Sequence, residues 1–233
     1  MFKYETHLHT SPVSRCAKAS VREQLEFYKS CSYDGVFITN HFIDGNINIS
    51  PSASYEEKIN FYFSDYEEGV RIGKELGLKV FFGAELSYGG TDFLIYGLGK
   101  EWFLAHPEIM LMRKSEELAF MADAGALIIQ AHPFREAEYI DHIRLYPRRV
   151  HGVEIVNACR GEFENSMAKF YADSYGLIHF AGSDNHGKRG RETLAGMCSK
   201  KPVSSEKDFI KKVKNGKMNT FVFTPNLKKD GEM

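Results

Sequence analysis

Seven short apolar runs recur along the chain, and stretches of helical periodicity separate most of them. The runs are FKYETH (2–7), GVFITN (35–40), KVFFGAE (79–85), DFLIYGL (92–98), ALIIQA (126–131), GVEIVN (152–157) and LIHFAGS (177–183). Most are continuously apolar, which is the pattern of strands buried on both faces. Ser20 and Glu23 form a capping box, and Val21, Leu25, Tyr28 and Cys31 follow at helical spacing. Ser54 and Glu57 repeat the signature before Tyr55, Ile59, Phe63, Tyr66 and Val70, with Gly77 placed to end that helix. Further helices are predicted to end near Gly125 and to cover 136–145, 162–175 and 205–214. Strands alternating with helices specify parallel βαβ units. With no linker, repeat or low-complexity segment, residues 1–233 are expected to form one α/β domain, either a barrel or an open sheet. KVFFGAE and DFLIYGL are too close for a crossover helix, so they should pair as an antiparallel hairpin.

Composition excludes several classes of partner. The 43% hydrophobic fraction supports a sizeable core, and a formal net charge of -1 gives no reason to expect nucleic acid or an acidic membrane surface. The basic stretch 211–217 is expected to be a solvated helix face. No apolar run approaches a membrane span, and no signal-like segment opens the chain, so a cytoplasmic, membrane-free protein is expected. Cys16, Cys31, Cys159 and Cys198 form no C-x-x-C pair or dense framework, and Cys31 continues an apolar stripe.

The polar residues fall in a pattern of their own. On a strand, His7 and His9 point to the same face. The second run ends in His41, the third in Glu85 and the fifth in His132. The hairpin strand opens with Asp92, and the last run leads into Asp184 and His186. Parallel α/β folds, and barrels above all, draw catalytic groups from the C-terminal ends of several strands. Glu85, Asp92 and Asp184 converging on one rim would repel one another unless cations neutralised them. Metal binding is the expectation that follows.

The ordered set HLHT, TNH, GAE, AHP and SDNH, from His7 to His186, resembles the PHP (polymerase and histidinol phosphatase) superfamily of metal-dependent phosphoesterases. Within it, the chain is most similar to stand-alone bacterial proteins of the histidinol-phosphatase type. The resemblance implies a distorted (β/α)7 TIM-like barrel with two or three divalent ions at the C-terminal rim. It implies that His7, His9, Glu85 and Asp184 hold one ion, and that Glu85 bridges to a second also held by His132. His41 and His186 would belong to a third. The family usually supplies an Asp or His five or six residues beyond the second histidine, where this chain has Ser14 and Arg15. Cys16 is the candidate substitute, and its thiolate would suit zinc better than manganese. Asp92 stands where the family often has a histidine, and a carboxylate can serve there. Mixed ligation leaves zinc, manganese and iron open.

Two ions roughly 3.5–4 Å apart suit in-line hydrolysis of phosphate esters by a bridging hydroxide. Asp184, His186, Arg135 and Arg160 are then the candidate catalytic groups, the arginines as phosphate ligands. Arg15, Lys188 and Arg189 are weaker candidates for phosphate. A metal-bound water, His186 or the ion itself could assist the leaving alkoxide. The expected substrate is a small phosphorylated metabolite, with a histidinol-phosphate-like ester as the example that the resemblance suggests. The alternatives are a nucleotide or oligonucleotide 3′–5′ phosphoesterase, which needs a basic track, and a metal-stabilised binding domain without turnover. An amidohydrolase would need a lysine or equivalent bridge that no strand end offers. Glu154 and Asn157 sit near a strand end, from which either could orient a ligand; Phe42, Tyr88, Trp102 and Phe134 flank the rim and could shape a pocket, but are expected to pack in the core. His179 should be a satisfied core residue, and His106, His142 and His151 should lie away from the rim.

Overall fold

The computed structural model describes residues 1–187 and 192–225; Lys188 and Arg189 lie outside them. The elements in order are β1 (Phe2–Leu8), α1 (Val21–Ser30), β2 (Gly35–Ile38), α2 (Tyr55–Leu76), β3 (Lys79–Tyr88), β4 (Thr91–Tyr96), α3 (Lys100–Ala105) and α4 (Lys114–Asp123). Then come β5 (Leu127–Ala131), β6 (Gly152–Asn157), α5 (Glu162–Tyr175), β7 (Ile178–Gly182), β8 (Leu194–Ser199), α6 (Glu206–Lys214) and β9 (Met218–Phe223). Both predicted capping boxes form, and Gly77 ends α2 in the left-handed conformation at φ 62°.

The strands are ordered β7-β6-β5-β4-β3-β2-β1-β8-β9. β1, β2 and β3 run parallel, as do β5, β6 and β7, while β4 is antiparallel to both β3 and β5. The end of β7 then returns to β1: the Asp184 amide donates to the His7 carbonyl at 2.9 Å, and the His9 amide to the Asn185 carbonyl at 3.0 Å. The nine strands thus make a nearly closed barrel. Gly182 permits this seam, because a Cβ there would lie 2.4 Å from the His7 Cβ.

Two strands were not anticipated. β8, LAGMCS, pairs antiparallel with the first half of β1, and β9 pairs antiparallel with β8. The single helix expected before Gly125 is two, α3 and α4, joined by a 3₁₀ turn over Pro107–Leu111. A proline cannot donate within a helix, so the chain breaks there. The helix predicted over 136–145 does not form. Instead Arg144 donates to the Gly89 carbonyl at 2.6 Å and Gln130 to the Arg144 carbonyl at 2.7 Å, which ties the segment down over the β3–β4 hairpin. These tertiary contacts override a modest helical pattern.

The floor of the barrel is aromatic. Phe209 of α6 meets Phe37 of β2, Tyr96 of β4 and Phe180 of β7 at ring separations of 4.4, 5.6 and 6.1 Å. α6 therefore closes the N-terminal end, and polar groups are left to the opposite rim. Its buried face is Phe209 and Val213, with Lys211, Lys212 and Lys214 in its last turn. Among the described residues no helix is long and apolar enough to cross a membrane.

Candidate metal centre

The rim is assembled by strand ends. His7 lies in β1 with His9 just beyond it, and both are fully buried. The residues after β2 pair with β3: the Glu85 amide donates to the Asn40 carbonyl at 3.1 Å and the Phe42 amide to the Glu85 carbonyl at 2.8 Å, which brings His41 beside Glu85. Because β4 runs backwards, its first residues lie at this rim, and Asp92 pairs in register with Ala131, one residue before His132. His132 and Asp184 have left-handed backbones, φ 24° and 54°. Non-glycine residues rarely adopt that region, and those that do cluster at functional sites.

Glu85 is the hub. Its Oε1 lies 3.2 Å from His7 Nε2 and 3.3 Å from His132 Nε2, and its Oε2 lies 3.3 Å from His9 Nε2 and 2.7 Å from His41 Nδ1. Asp184 Oδ1 lies 3.6 Å from His7 Nε2 and 3.4 Å from His9 Nε2. Metal–ligand bonds of about 2.0–2.2 Å place two ligands of one ion about 2.9–3.5 Å apart, in octahedral or tetrahedral geometry. Most of these separations fall within that range. Neither Glu85 oxygen has a hydrogen-bond partner, although the side chain is 1% exposed. A buried carboxylate surrounded by imidazole nitrogens but holding no hydrogen bond fits a cation. Three groups converge closely enough to hold ions: His7, Glu85 and His132; His7, His9 and Asp184; and His9, His41 and His186.

The electrostatics agree. Burial opposes a charged His7, yet Glu154, Asp184 and Glu85 outweigh it and hold the ring well above its ordinary value. Burial pushes Glu85 and Asp184 up, but the surrounding imidazoles prevail and hold both carboxyls well below the carboxylate range. Burial, then His186 and His41, push His9 down. Without cations the cluster must borrow protons for its positive charge.

A second layer fixes the ligand candidates. Glu154 Oε1 accepts from His7 Nδ1 at 2.9 Å, and its Oε2 accepts from the His132 amide at 3.1 Å and Asn157 Nδ2 at 2.9 Å. Glu154 thus fixes the His7 ring and the His132 backbone, and Asn157 holds Glu154 in turn. Four others were missed: Ser14, Asn40, Asp65 and Glu5. Ser14 is not placed as a ligand: its hydroxyl lies 3.1 Å from His9 Nδ1 and donates to Asn40 Oδ1 at 2.9 Å. Asn40 in turn donates to Asp65 on α2, at 3.1 Å. Asp65 is buried among Ile59, Tyr62 and Phe63 on an otherwise apolar helix face, which was a legible signal. Glu5 accepts from the His7 amide at 2.8 Å and the Ser183 amide at 2.9 Å, bracing the seam. Burial pushes its carboxyl up to about 7 despite those bonds.

A cavity of about 350 Å³ opens onto the cluster, and Arg135, Arg160, Asp92, Cys16 and His186 are among its lining residues. Arg135 lies 3.2 Å from Asp92, and Arg160 lies 3.5 Å from Asp184. Asp92 Oδ2 is 3.9 Å from His132 Nε2, so Asp92 stands behind the main cluster, beside Arg135. Burial pushes the Cys16 thiol up, but hydrogen bonds with His186 and His41 outweigh it and bring it down to about 5. Arg15 is exposed and is not part of the cavity lining.

The remaining histidines lie elsewhere. His106 pairs with Glu108, His142 with Asp141, and His151 accepts from the Ile128 amide. His179 is not a core residue: its side chain is 40% exposed and pairs with Asp173 at 2.7 Å, because β7 begins at the solvent edge. Phe42 and Phe134 are buried in the core, whereas Tyr88 is exposed.

No protein-family model and no curated protein matches the sequence. Solved structures do resemble the fold. A two-domain protein from Bacteroides vulgatus, assigned a PHP-like metal-dependent phosphoesterase, has a TM-score of 0.66 at 15% identity. That likeness covers 94% of this chain and 64% of the other, so this chain spans less than two thirds of that protein. PsfC from Pseudomonas syringae has a TM-score of 0.59 at 14% identity, covering 97% of this chain and 93% of its own. A protein of Bifidobacterium adolescentis, assigned as a metal-dependent phosphoesterase, has a TM-score of 0.53 at 13% identity over 80% of this chain and 88% of its own. The chain therefore shares the fold of these structures, with His7, His9, His41, Glu85, His132, Asp184 and His186 gathered at one rim of the barrel.

Proposed function

We propose that this protein hydrolyses a phosphate ester of a small metabolite, using divalent cations held at the rim. The observation that carries the reading is Glu85: a buried carboxylate whose two unpartnered oxygens face different imidazoles. That arrangement suits a bridge between two ions, with His7 and His132 beside Oε1, His9 and His41 beside Oε2, and Asp184 facing both His7 and His9. Bound there, the ions would supply Lewis acidity and an activated water, the chemistry of two-metal phosphoester hydrolysis.

The chain's own groups do the rest. Arg135 and Arg160 line the same cavity, and the Nε of each has no hydrogen-bond partner. A phosphoryl group entering between them gains charge-assisted hydrogen bonds as negative charge builds on its oxygens. Glu154 holds the His7 ring, and Ser14 holds that of His9. A cavity of about 350 Å³ suits a compact ester better than a polymer. Zinc, manganese and iron all fit the donor set. The four cysteines are all free, which supports a reducing, cytoplasmic setting.

The test is release of inorganic phosphate from a panel of small phosphomonoesters, histidinol phosphate among them, by zinc-, manganese- and iron-loaded protein. Arg160→Ala should lower kcat/KM roughly 10–100-fold, the worth of a hydrogen bond to a charged group. No release from any ester with any of the three metals would overturn the reading.

A further inference from the structure

We propose that Asn40 and Ser14 are positioning residues that fix the tautomer of His9, keeping the ring proton on Nδ1 so that Nε2 offers its lone pair to the rim. This rests on the metal-dependent reading above and deepens it, from which groups face an ion to what sets their protons.

The direction of each hydrogen bond in the relay follows from groups that have no choice. The Thr10 backbone amide donates to Asn40 Oδ1 at 2.7 Å, which identifies that atom as the amide oxygen. The other end of the side chain, Nδ2, donates to Thr10 Oγ1 at 2.8 Å and to Asp65 Oδ2 at 3.1 Å. A flipped amide would set its NH2 against a backbone N–H and its oxygen against a carboxylate. Asn40 Oδ1 only accepts, so the Ser14 hydroxyl, 2.9 Å away, directs its single hydrogen there. The same hydroxyl oxygen accepts from the His41 amide at 3.0 Å. With the hydrogen committed, the 3.1 Å contact between Ser14 Oγ and His9 Nδ1 is a hydrogen bond only if the ring donates. His9, Ser14 and Asn40 are all buried, so no solvent relieves a wrong choice.

Helix α2 holds the relay in place. Its Asp65 also accepts from Thr10 Oγ1 at 2.7 Å and from the Val13 amide at 3.3 Å, and its Tyr62 hydroxyl donates to the Asn40 carbonyl at 2.8 Å. At the far end, His9 Nε2 lies 3.2 Å from His7 Nε2, 3.3 Å from Glu85 Oε2 and 3.4 Å from Asp184 Oδ1. Glu154 fixes the proton of His7 on Nδ1 in the same way. Both rings are thereby set to present lone pairs to one ion.

The experiment reads the proton itself. In protein labelled with 15N-histidine, treated with chelator and held at pH 8, the ring nitrogens of His9 are identified by the signals lost in a His9→Gln variant. The wild-type ring should carry its proton on Nδ1. Ser14→Ala should let both tautomers populate, moving the two nitrogen shifts towards each other, and should weaken zinc binding roughly 10-fold or more. Ser14→Thr keeps a hydroxyl and should retain the wild-type pattern and affinity. Asn40→Leu frees the Ser14 hydrogen to donate to His9 Nδ1, so the proton should move to Nε2. A proton on Nε2 in the wild type, or a Ser14→Ala protein with unchanged shifts and zinc affinity, would overturn the assignment. Because the tautomer is read without metal, a wild-type protein that has the Nδ1 proton yet binds no zinc would overturn the metal-dependent reading alone.

Discussion

Glu154→Gln isolates the worth of the layer behind the ligand candidates. Glu154 touches no expected ion, yet its Oε1 lies 2.9 Å from His7 Nδ1 while its Oε2 receives the His132 amide and Asn157 Nδ2. A carboxylate only accepts, so Nδ1 carries the ring proton and Nε2 presents its lone pair to the rim. Glutamine has one acceptor oxygen. Two donors compete for it on the Oε2 side, so the amide NH2 turns towards His7. The ring must then accept at Nδ1 and protonate at Nε2, where a cation would bind. The shape hardly changes while the tautomer is reversed. Second-layer partners of this kind are worth roughly 10–100-fold in metal affinity, or about 1.4–2.7 kcal/mol. The upper end is expected here, because the substitution opposes binding as well as removing support. Competition against a chromophoric chelator measures the affinity, and circular dichroism of the chelated protein checks the fold. Unchanged zinc affinity in a folded variant would refute the tautomer argument.

Lys114→Met should cost roughly 3–5 kcal/mol at pH 8, since it strands the carboxylates of Asp44 and Glu117, now 2.9 and 2.6 Å from the buried ammonium. Burial already pushes Glu117 up to about 7 from 4.5, so in the wild-type protein that group lowers stability as pH rises between those values. The variant's deficit should therefore shrink at pH 5, and equal deficits in urea melts at both pH values would contradict this. Gly182→Ala places a methyl 2.4 Å from the His7 Cβ and 2.7 Å from Glu154 Oε1. Overpacking of this kind costs about 1–3 kcal/mol, and at this chain length each kcal/mol lowers Tm by roughly 2–4 °C, readable by calorimetry. Chelation should lower the Tm of the zinc-loaded protein, since an ion at 100 times its Kd adds about 2.7 kcal/mol; an unchanged melt would count against bound ions at the seam.

Much of the fold could be read from continuous apolar runs and capping boxes, because both are local. All seven anticipated strands form, and the β3–β4 hairpin explains how Asp92, at the start of a strand, reaches a rim otherwise built from strand ends. β8 was missed because LAGMCS holds no β-branched residue and draws its strand character from pairing with β1. The segment 136–145 carried a helical pattern, but its outcome depended on the distant carbonyl of Gly89. At the rim, residues recognisable by ligand chemistry were legible one by one. Those acting through hydrogen bonds were harder to see: Ser14 looked like a gap in a motif, and only the fold shows its hydroxyl beside His9.

The seam that closes the barrel and the cluster that invites cations are made from the same few residues. The His7 carbonyl receives the Asp184 amide, and the His9 amide reaches Asn185, so the backbone bonds joining β1 to the end of β7 belong to residues whose side chains face the rim. Gly182 keeps the strands close enough for both. Glu5 ties the amides of His7 and Ser183 from beneath, on either side of the seam. An ion gripping His7, His9 and Asp184 would hold the two strands from above as Glu5 does from below. Strand closure and ion binding would then be linked, each favouring the other by the same free energy. The strain at Asp184 fits this arrangement, since its left-handed turn delivers a carboxylate to the rim and an amide to the seam from one residue.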